Sequence, residues 1–594
     1  MRRIALALIL AASVGTSGFA AEPDGPAELI TKTEAVRIAI QDQLGVKSMS
    51  DVAEQIALAE YYSVPDRRLL WVDDSGLTDR GKAVMGEIAK ADDYGLRAAD
   101  YKLPQIASFD PAAPDAVEQL ADAELKISSA VVEYARDARG GRINPQSLSK
   151  NLDPKLYLPE PAEVIGFIAI RSDPAAYLRS FQPSHPQFEA LRKALLAERG
   201  GQVEQTSGPM DIVIPAGPLL KAGVEHGQVA LLRKRLEVPV KAGGNEYLYD
   251  QELIEAVREF QKSKGGHPDG IVGSGTRQML NGQSAPQVSG QDKINLLLAN
   301  MERWRWLPQD LGAFYVNVNI PEFQLRVVGD DAVVWETRVV VGKTDKQTPV
   351  FNDEMEEIVF RPNWYVPTSI KSEEIAPYLY RGGGFFGGGW DTSILKRQGL
   401  RIRGANGRDI DPDTIDWSRS DIRRYEVYQP PGAGNVLGLV KFRFPNTHDV
   451  YLHDTTQKHL FANAVRANSH GCMRVQNPDQ FATVLLGHDQ GWDASRVNAA
   501  MHGNIDANKI LLKQHIPVYL TYFTAKVEED GKLTQYRDLY GHDRRMIAAL
   551  SGDAVPYGLP GSEEVAQTTQ RPVVRQRRGG NGDFEAITRA LFDF

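Results

Sequence analysis

Apolar side chains recur at helical spacing along the first 200 residues. Ala53, Ile56, Ala57 and Tyr61 share one predicted helix face, and Leu125, Ser128, Val132 and Ala135 share another. Turn clusters at Asp73-Asp74-Ser75-Gly76 and Gly140-Gly141 separate such runs. Residues 29–200 therefore read as a mostly helical scaffold with no catalytic constellation. Gly200, Gly201, Ser207-Gly208-Pro209 and Pro215 mark a linker. A compact unit follows: Val229, Leu232 and Leu236 share a face, as do Leu253, Ile254, Val257 and Phe260. The turn 265–270 comes next, and Ser274 or Thr276 caps a short helix through Leu280. Ile294, Leu297, Leu298 and Met301 make a further amphipathic helix, which Pro308 cannot continue.

The period then changes from helix to strand. Phe314, Val316, Val318 and Ile320 alternate with polar partners, as do Phe323, Leu325 and Val327. Val333 to Val341, Ile358 to Trp364, Val436 to Phe444 and Pro517 to Phe523 are further strand candidates. Many short strands predict a β-rich domain. Residues 370–430 break its pattern and read as an inserted lid or capping subdomain. The G-x-G-x-x-G at Gly382, Gly384 and Gly387 has no strand before it and no helix after it, so its dinucleotide-binding context is missing. The tail carries Pro, Gly and the arginines Arg571, Arg575, Arg577 and Arg578, and reads as disordered.

Composition narrows the class. The 594 residues, 42% hydrophobic, suffice for several buried cores and exclude a wholly disordered chain. A net charge of −9 argues against nucleic acid as the main partner. Arg2 and Arg3, the apolar run Ile4 to Val14 and the small-x-small site Gly18-Phe19-Ala20 form a secretory signal, with an uncleaved anchor as the alternative. No later run is long enough to span a bilayer, so no transmembrane segment is expected after signal cleavage. An exported chain with the single cysteine Cys472 makes no internal disulfide. A lone thiol in an oxidising compartment invites a chemical reason.

That reason lies in two segments, Tyr451-Leu452-His453-Asp454-Thr455 and Ser469-His470-Gly471-Cys472-Met473-Arg474. A thiol attacks as thiolate and needs a base, an orienting group for that base and an oxyanion site. His453 closes a predicted strand from Asp449, nineteen residues before Cys472, and is the favoured base. His470 is the rival, favoured instead for holding the loop, with Ser469 beside it. Gly471 permits a tight backbone, and the amides near Gly471 and Cys472 are oxyanion donors. Asn477-Pro478 reads as a helix N-cap whose positive end favours a thiolate. Arg474 either holds a substrate carboxylate or pins the loop. Tyr451 shares the His453 face and lines the pocket or packs. His448 and His459 read as surface residues.

These segments, with Gly432-Ala433-Gly434-Asn435-Val436-Leu437-Gly438 and Val440-Lys441-Phe442, resemble the L,D-transpeptidase catalytic domain of YkuD type. Glu255 to Gln261, Asp269-Gly270-Ile271-Val272-Gly273 and Thr276 resemble a three-helix peptidoglycan-binding domain. The whole layout is similar to the larger YcbB-type members. The resemblance implies a multidomain α+β protein of a helical scaffold, a small three-helix peptidoglycan-binding domain and a β-rich catalytic domain with a capping insertion. Its parts are a signal peptide 1–21, scaffold 22–215, peptidoglycan-binding domain 216–285, connecting helix 286–311, catalytic domain 312–545 with the insertion at about 370–430, and a disordered basic tail 546–594.

The resemblance also implies a chemistry. Cys472 attacks a tetrapeptide stem of peptidoglycan after its third residue and releases D-alanine. His453 shuttles the proton, and the backbone carbonyl of Asp454 orients its ring. An amine of a second stem resolves the thioester. No metal or cofactor is needed, and carbapenems acylate the cysteine. Met473 departs from the Ile or Val common there, a tolerable apolar exchange. The implied location is the periplasm, at the cell wall. Attachment of an outer-membrane protein to the wall, or L,D-carboxypeptidase trimming by water, are the alternatives, since the donor motif does not specify the acceptor. A papain-like protease is disfavoured because the best histidine lies upstream of the cysteine. The intact His453 and Cys472 pair speaks against a non-catalytic wall-binding protein.

Overall fold

The computed structural model describes residues 31–46, 52–65, 67–105, 109–200, 212, 214–215, 217–241, 243–263, 270–273, 276–277, 280, 290–379 and 390–553. The signal segment, the turn at 265–269, Ser274, the glycine tract 382–389 and the tail arginines lie outside the described residues. The chain divides into two compact units. No helix among the described residues is long and apolar enough to cross a membrane.

The first unit comprises Met1–Gly86, Lys102–Val132 and Pro161–Pro174. Among the described residues its regular elements are helices and one small hairpin of Val72–Asp73 with Gly76–Leu77. The helix Val52–Ser63 buries Glu54, Ala57, Leu58, Tyr61 and Tyr62, while Ile56 is exposed. The face predicted through Ala53 and Ile56 is thus rotated: the aromatic pair, with most apolar area to bury, sets the inward direction. The core holds a fully buried carboxylate, Glu124. It accepts hydrogen bonds from the amides of Trp71 and Val72, at 2.8 and 3.1 Å, and from the Tyr62 hydroxyl at 2.8 Å. Burial pushes its pKa up to about 7 against those bonds.

The second unit comprises Glu87–Tyr101, Glu133–Glu160 and the residues from Ala175 onward. Around residues 214–280, Val229, Leu232, Leu253, Val257 and Leu280 form a small separate core. Gln261 ties its turn together by accepting from the Gly270 amide at 2.9 Å and donating to the Ile271 carbonyl at 3.1 Å. The helix Gly290–Trp304 packs on Pro186–Arg199 and on a last helix, His542–Ser551. Arg303 and Asp543 clasp that last helix at 2.5 Å. This helix runs past residue 546, where the sequence reading set its last boundary, and Met546 is fully buried.

The main sheet of this unit is built from β1 (Phe314–Asn319), β2 (Gln324–Gly329), β3 (Ala332–Gly342), β4 (Phe351–Phe360), β5 (Val440–Arg443), β6 (Leu452–His453), β7 (Ala467–Ser469), β8 (Met473–Val475) and β9 (Asn508–Thr521). Its order is β7-β3-β8-β6-β5-β4-β9-β1-β2, and β2 also pairs with β3, so the sheet closes on itself. The alternation in β1 and β2 puts Val316, Val318, Leu325 and Val327 inside. Strand β9 begins well before Pro517, which sits beside a register shift between Leu511 and Ile516, where a lost ladder donor is tolerated.

Between β4 and β5 the chain folds on its own core, with Trp364, Leu395, Ile402, Trp417 and Val427 buried together. Trp364–Tyr365, Arg401–Arg403, Asp409–Ile410 and Glu426–Gln429 form a four-stranded sheet there. These strands are too short to show a two-residue period in the sequence.

Candidate active site

Strands β6 and β8 run parallel, with Leu452 opposite Met473 and His453 opposite Arg474. Leu452 and Met473 are fully buried in the sheet core. Successive side chains alternate across a strand. Tyr451, His453, Cys472 and Arg474 therefore face the other way, and all four line one cavity of about 890 Å³. The walls include Trp364 and Glu374 of the inserted subdomain and Lys441 of β5. The observed strand is shorter than the predicted Asp449 to His453, because Asp449 has a left-handed backbone, φ 54°.

The loop before Cys472 is held from both sides. The Ser469 hydroxyl donates to the Cys472 carbonyl at 2.5 Å and accepts from the Gly471 amide at 3.2 Å. The Thr348 hydroxyl donates to the Gly471 carbonyl at 2.7 Å. Gly471 takes φ 118°, which only glycine adopts without strain. Its amide is engaged by Ser469, which corrects the expectation that it faces an oxyanion: Gly471 shapes the loop. Cys472 is half-buried, and its thiol points to the Asp449 carbonyl at 3.9 Å. Burial pushes the thiol pKa up. The Tyr451 amide, Lys441, the Tyr451 hydroxyl and Arg474 pull it back.

His453 is buried, and its Nδ1 lies 2.5 Å from the Asp454 carbonyl. Donation there leaves Nε2 as the acceptor nitrogen. Burial first, then the Arg474 charge, push the imidazole down to about 3 against the Asp454 carbonyl. The Asp454 carboxylate fixes the surrounding backbone, accepting from the amides of Leu439 and Thr455, at 2.9 and 2.6 Å, and pairing with Lys458. It packs so closely on Gly438 that a Cβ there would lie 2.2 Å from Oδ2. Arg474 is fully buried and donates to Gln457 at 2.8 Å.

His470 Nε2 lies 2.8 Å from a Glu374 carboxylate oxygen, so it ties the loop before Cys472 to the inserted subdomain. His448 is half-buried and contacts Asp153 at 3.0 Å, so it is no surface residue; His459 is exposed, as expected. Asn477 occupies the N-cap position and Pro478 opens the helix Pro478–Gln490, as expected; Asn477 has φ 53° and makes no side-chain cap hydrogen bond. The Tyr451 ring lies 5.6 Å from that of His453, and the Lys441 ammonium stands 3.7 Å over it. The sequence reading missed Glu374, Gln457 and the place of Lys441. Glu374 and Gln457 carry no local signal, but Lys441 has the strand parity of a cavity residue, between core-facing Val440 and Phe442.

Residues 313–491 match the family model described as "L,D-transpeptidase catalytic domain". This β domain is an L,D-transpeptidase catalytic domain. Residues 225–280 match "Putative peptidoglycan binding domain", and residues 56–195 match "Scaffold domain". A Haemophilus influenzae protein named "Putative L,D-transpeptidase" is 32% identical over 279 residues, covering 46% of this chain and 54% of that protein. The chain thus spans about half the length of this curated relative. An L,D-transpeptidase structure from Mycobacterium smegmatis is 10% identical, covering 35% of this chain and 58% of that one, with a TM-score of 0.17. One from Xylanimonas cellulosilytica is 16% identical, covering 52% and 98%, with a TM-score of 0.13.

Proposed function

We propose that the chain is a cysteine-dependent L,D-transpeptidase acting on peptidoglycan. The observation that carries this reading is the register of β6 against β8, which sets His453 and Cys472 on one cavity wall, with His453 Nδ1 engaged by the Asp454 carbonyl. Cys472 attacks the carbonyl after the third stem residue. Its proton passes to His453 Nε2 and then to the departing amine, and D-alanine leaves. An amine from a second stem attacks the thioester and gives up its proton to His453. Ser469 and Gly471 hold the loop. His470 ties it to the insertion, and Arg474 favours negative charge on the sulfur. Tyr451 does so too, with its amide and hydroxyl beside the thiol.

The peptidoglycan-binding match and the resemblance to YcbB-type enzymes support a wall-associated protein, exported to the periplasm by residues 1–21. The donor is a stem peptide. The acceptor in this reading is a second stem; a protein amine or water at the same thioester gives wall attachment or trimming.

The test is purified protein with a disaccharide tetrapeptide. Cross-linked dimer with loss of D-alanine is the expected product, and Cys472→Ser abolishes both it and the acyl-enzyme mass adduct. His453→Ala lowers turnover by roughly 100-fold or more, the usual weight of a general base. An adduct that persists in Cys472→Ser refutes the nucleophile. A carbapenem acylates the same cysteine of the wild type, with a mass adduct of its own.

A further inference from the structure

The cavity holds several cations, and most are already matched. Arg443 and Lys509 share Glu357, at 2.8 and 3.8 Å. Lys346 pairs with Glu373 at 2.7 Å. Lys441 differs: among the described residues no carboxylate lies within ion-pairing distance of it, and its ammonium rests on the Tyr451 ring. Burial disfavours its charge. A desolvated ammonium facing a cavity is stabilised by an incoming anion.

Strand order says where such an anion comes from. Cys472, His453 and Lys441 stand on the same face around three neighbouring strands, β8, β6 and β5, with Lys441 opposite His453 in register. In the reading above, His453 protonates the departing nitrogen, so that nitrogen lies on the His453 side of the sulfur. An amino acid that leaves through its nitrogen carries its carboxylate two bonds further on. Neighbouring strands are about 4.8 Å apart, so continuing in that direction leads to β5.

We propose that the Lys441 ammonium binds the α-carboxylate of the residue that leaves the acyl donor. Lys441 is then a specificity-determining residue that selects donors ending in a free carboxylate. During the step the Sγ–C bond forms and the C–N bond breaks. The electron pair stays on the departing nitrogen, which takes the proton that His453 received from the thiol. The inference rests on the proposed acyl transfer at Cys472.

The experiment uses the full chain and two donors, a tetrapeptide stem with a terminal carboxylate and the same stem with a terminal carboxamide. The released amino acid or amide is measured by mass spectrometry. Wild type prefers the carboxylate donor by roughly 10- to 100-fold in kcat/KM, the scale of a desolvated charge pair. In Lys441→Met that ratio collapses toward unity, and Lys441→Arg restores most of it. Iodoacetamide alkylation of Cys472, followed alongside, moves to higher pH in Lys441→Met, which loses a cation beside the thiol, and returns toward wild type in Lys441→Arg. An equal loss on both donors in Lys441→Met, or a shifted alkylation profile with an unchanged donor ratio, overturns the inference. Wild type that turns over neither donor overturns the functional reading itself, and the inference with it.

Discussion

The Nε2 of His470 lies 2.8 Å from Oε1 of Glu374, joining the loop before Cys472 to a subdomain inserted about a hundred residues earlier. Glu374 stands on a single wide helical turn, Lys371–Ile375, and its neighbour Glu373 pairs with Lys346. Such turns are common at functional sites. Both partners are mostly buried, so the pair is only partly screened by solvent.

Glu374→Ala is therefore expected to slow acyl-enzyme formation by about 10-fold, from a loop that samples misplaced thiol positions. Glu374→Asp recovers part of the rate. Unfolding temperatures of both variants stay near wild type, because the pair anchors one loop and not the core. Stopped-flow acylation alongside a melting curve checks this; a Glu374→Ala rate equal to wild type rules the anchoring role out.

The buried imidazole of His453 makes stability depend on pH. Its folded pKa is about 3, against an ordinary 6.5. The folded protein therefore binds fewer protons than the unfolded chain between those values, and stability falls as pH drops through that window. From pH 7 to pH 5 the loss is about 2 kcal/mol for this one group. His453→Gln carries no such titration, so its urea midpoint falls less over that range. The buried His542, also held well below the usual range, supplies a second slope that both proteins keep. Identical pH slopes for the two proteins would contradict the buried neutral imidazole.

Gly438 tests how closely the Asp454 support is packed. It adopts φ 60°, and a Cβ would meet the Asp454 side chain at 2.2 to 2.6 Å. Gly438→Ala is expected to cost about 2 kcal/mol or more, from backbone conformation and overpacking together. It also lowers transpeptidation, because the displaced Asp454 carries the carbonyl that orients His453. Chemical denaturation and turnover measured on one preparation check both effects, and alkylation of Cys472 at an unchanged rate shows that the nucleophile loop survives.

Much of this protein was legible before folding. Wherever an element is long and faces one core, as in Ile294 to Met301 or Phe314 to Ile320, its period appears in the residue pattern. The lone cysteine, the upstream histidine and the glycine at 471 were legible because the chemistry restricts residue type at those places. Asn477-Pro478 was legible as a helix start, although the left-handed backbone of Asn477 and its lack of a side-chain cap were not. Ile56 misled because helical spacing identifies a stripe but not which edge of it turns inward.

What the amino-acid order determined by itself was which side chains are candidates for the chemistry and that they sit on a β-rich domain between helical parts, since spacing and residue type are local properties. The tertiary structure alone decided that the Gly471 amide is spent on Ser469, that Glu374 reaches His470, and that Lys441 faces the cavity without a carboxylate partner among the described residues. Those relationships join residues up to about a hundred positions apart, and they exist only once strand register and the inserted subdomain bring separate segments to one surface.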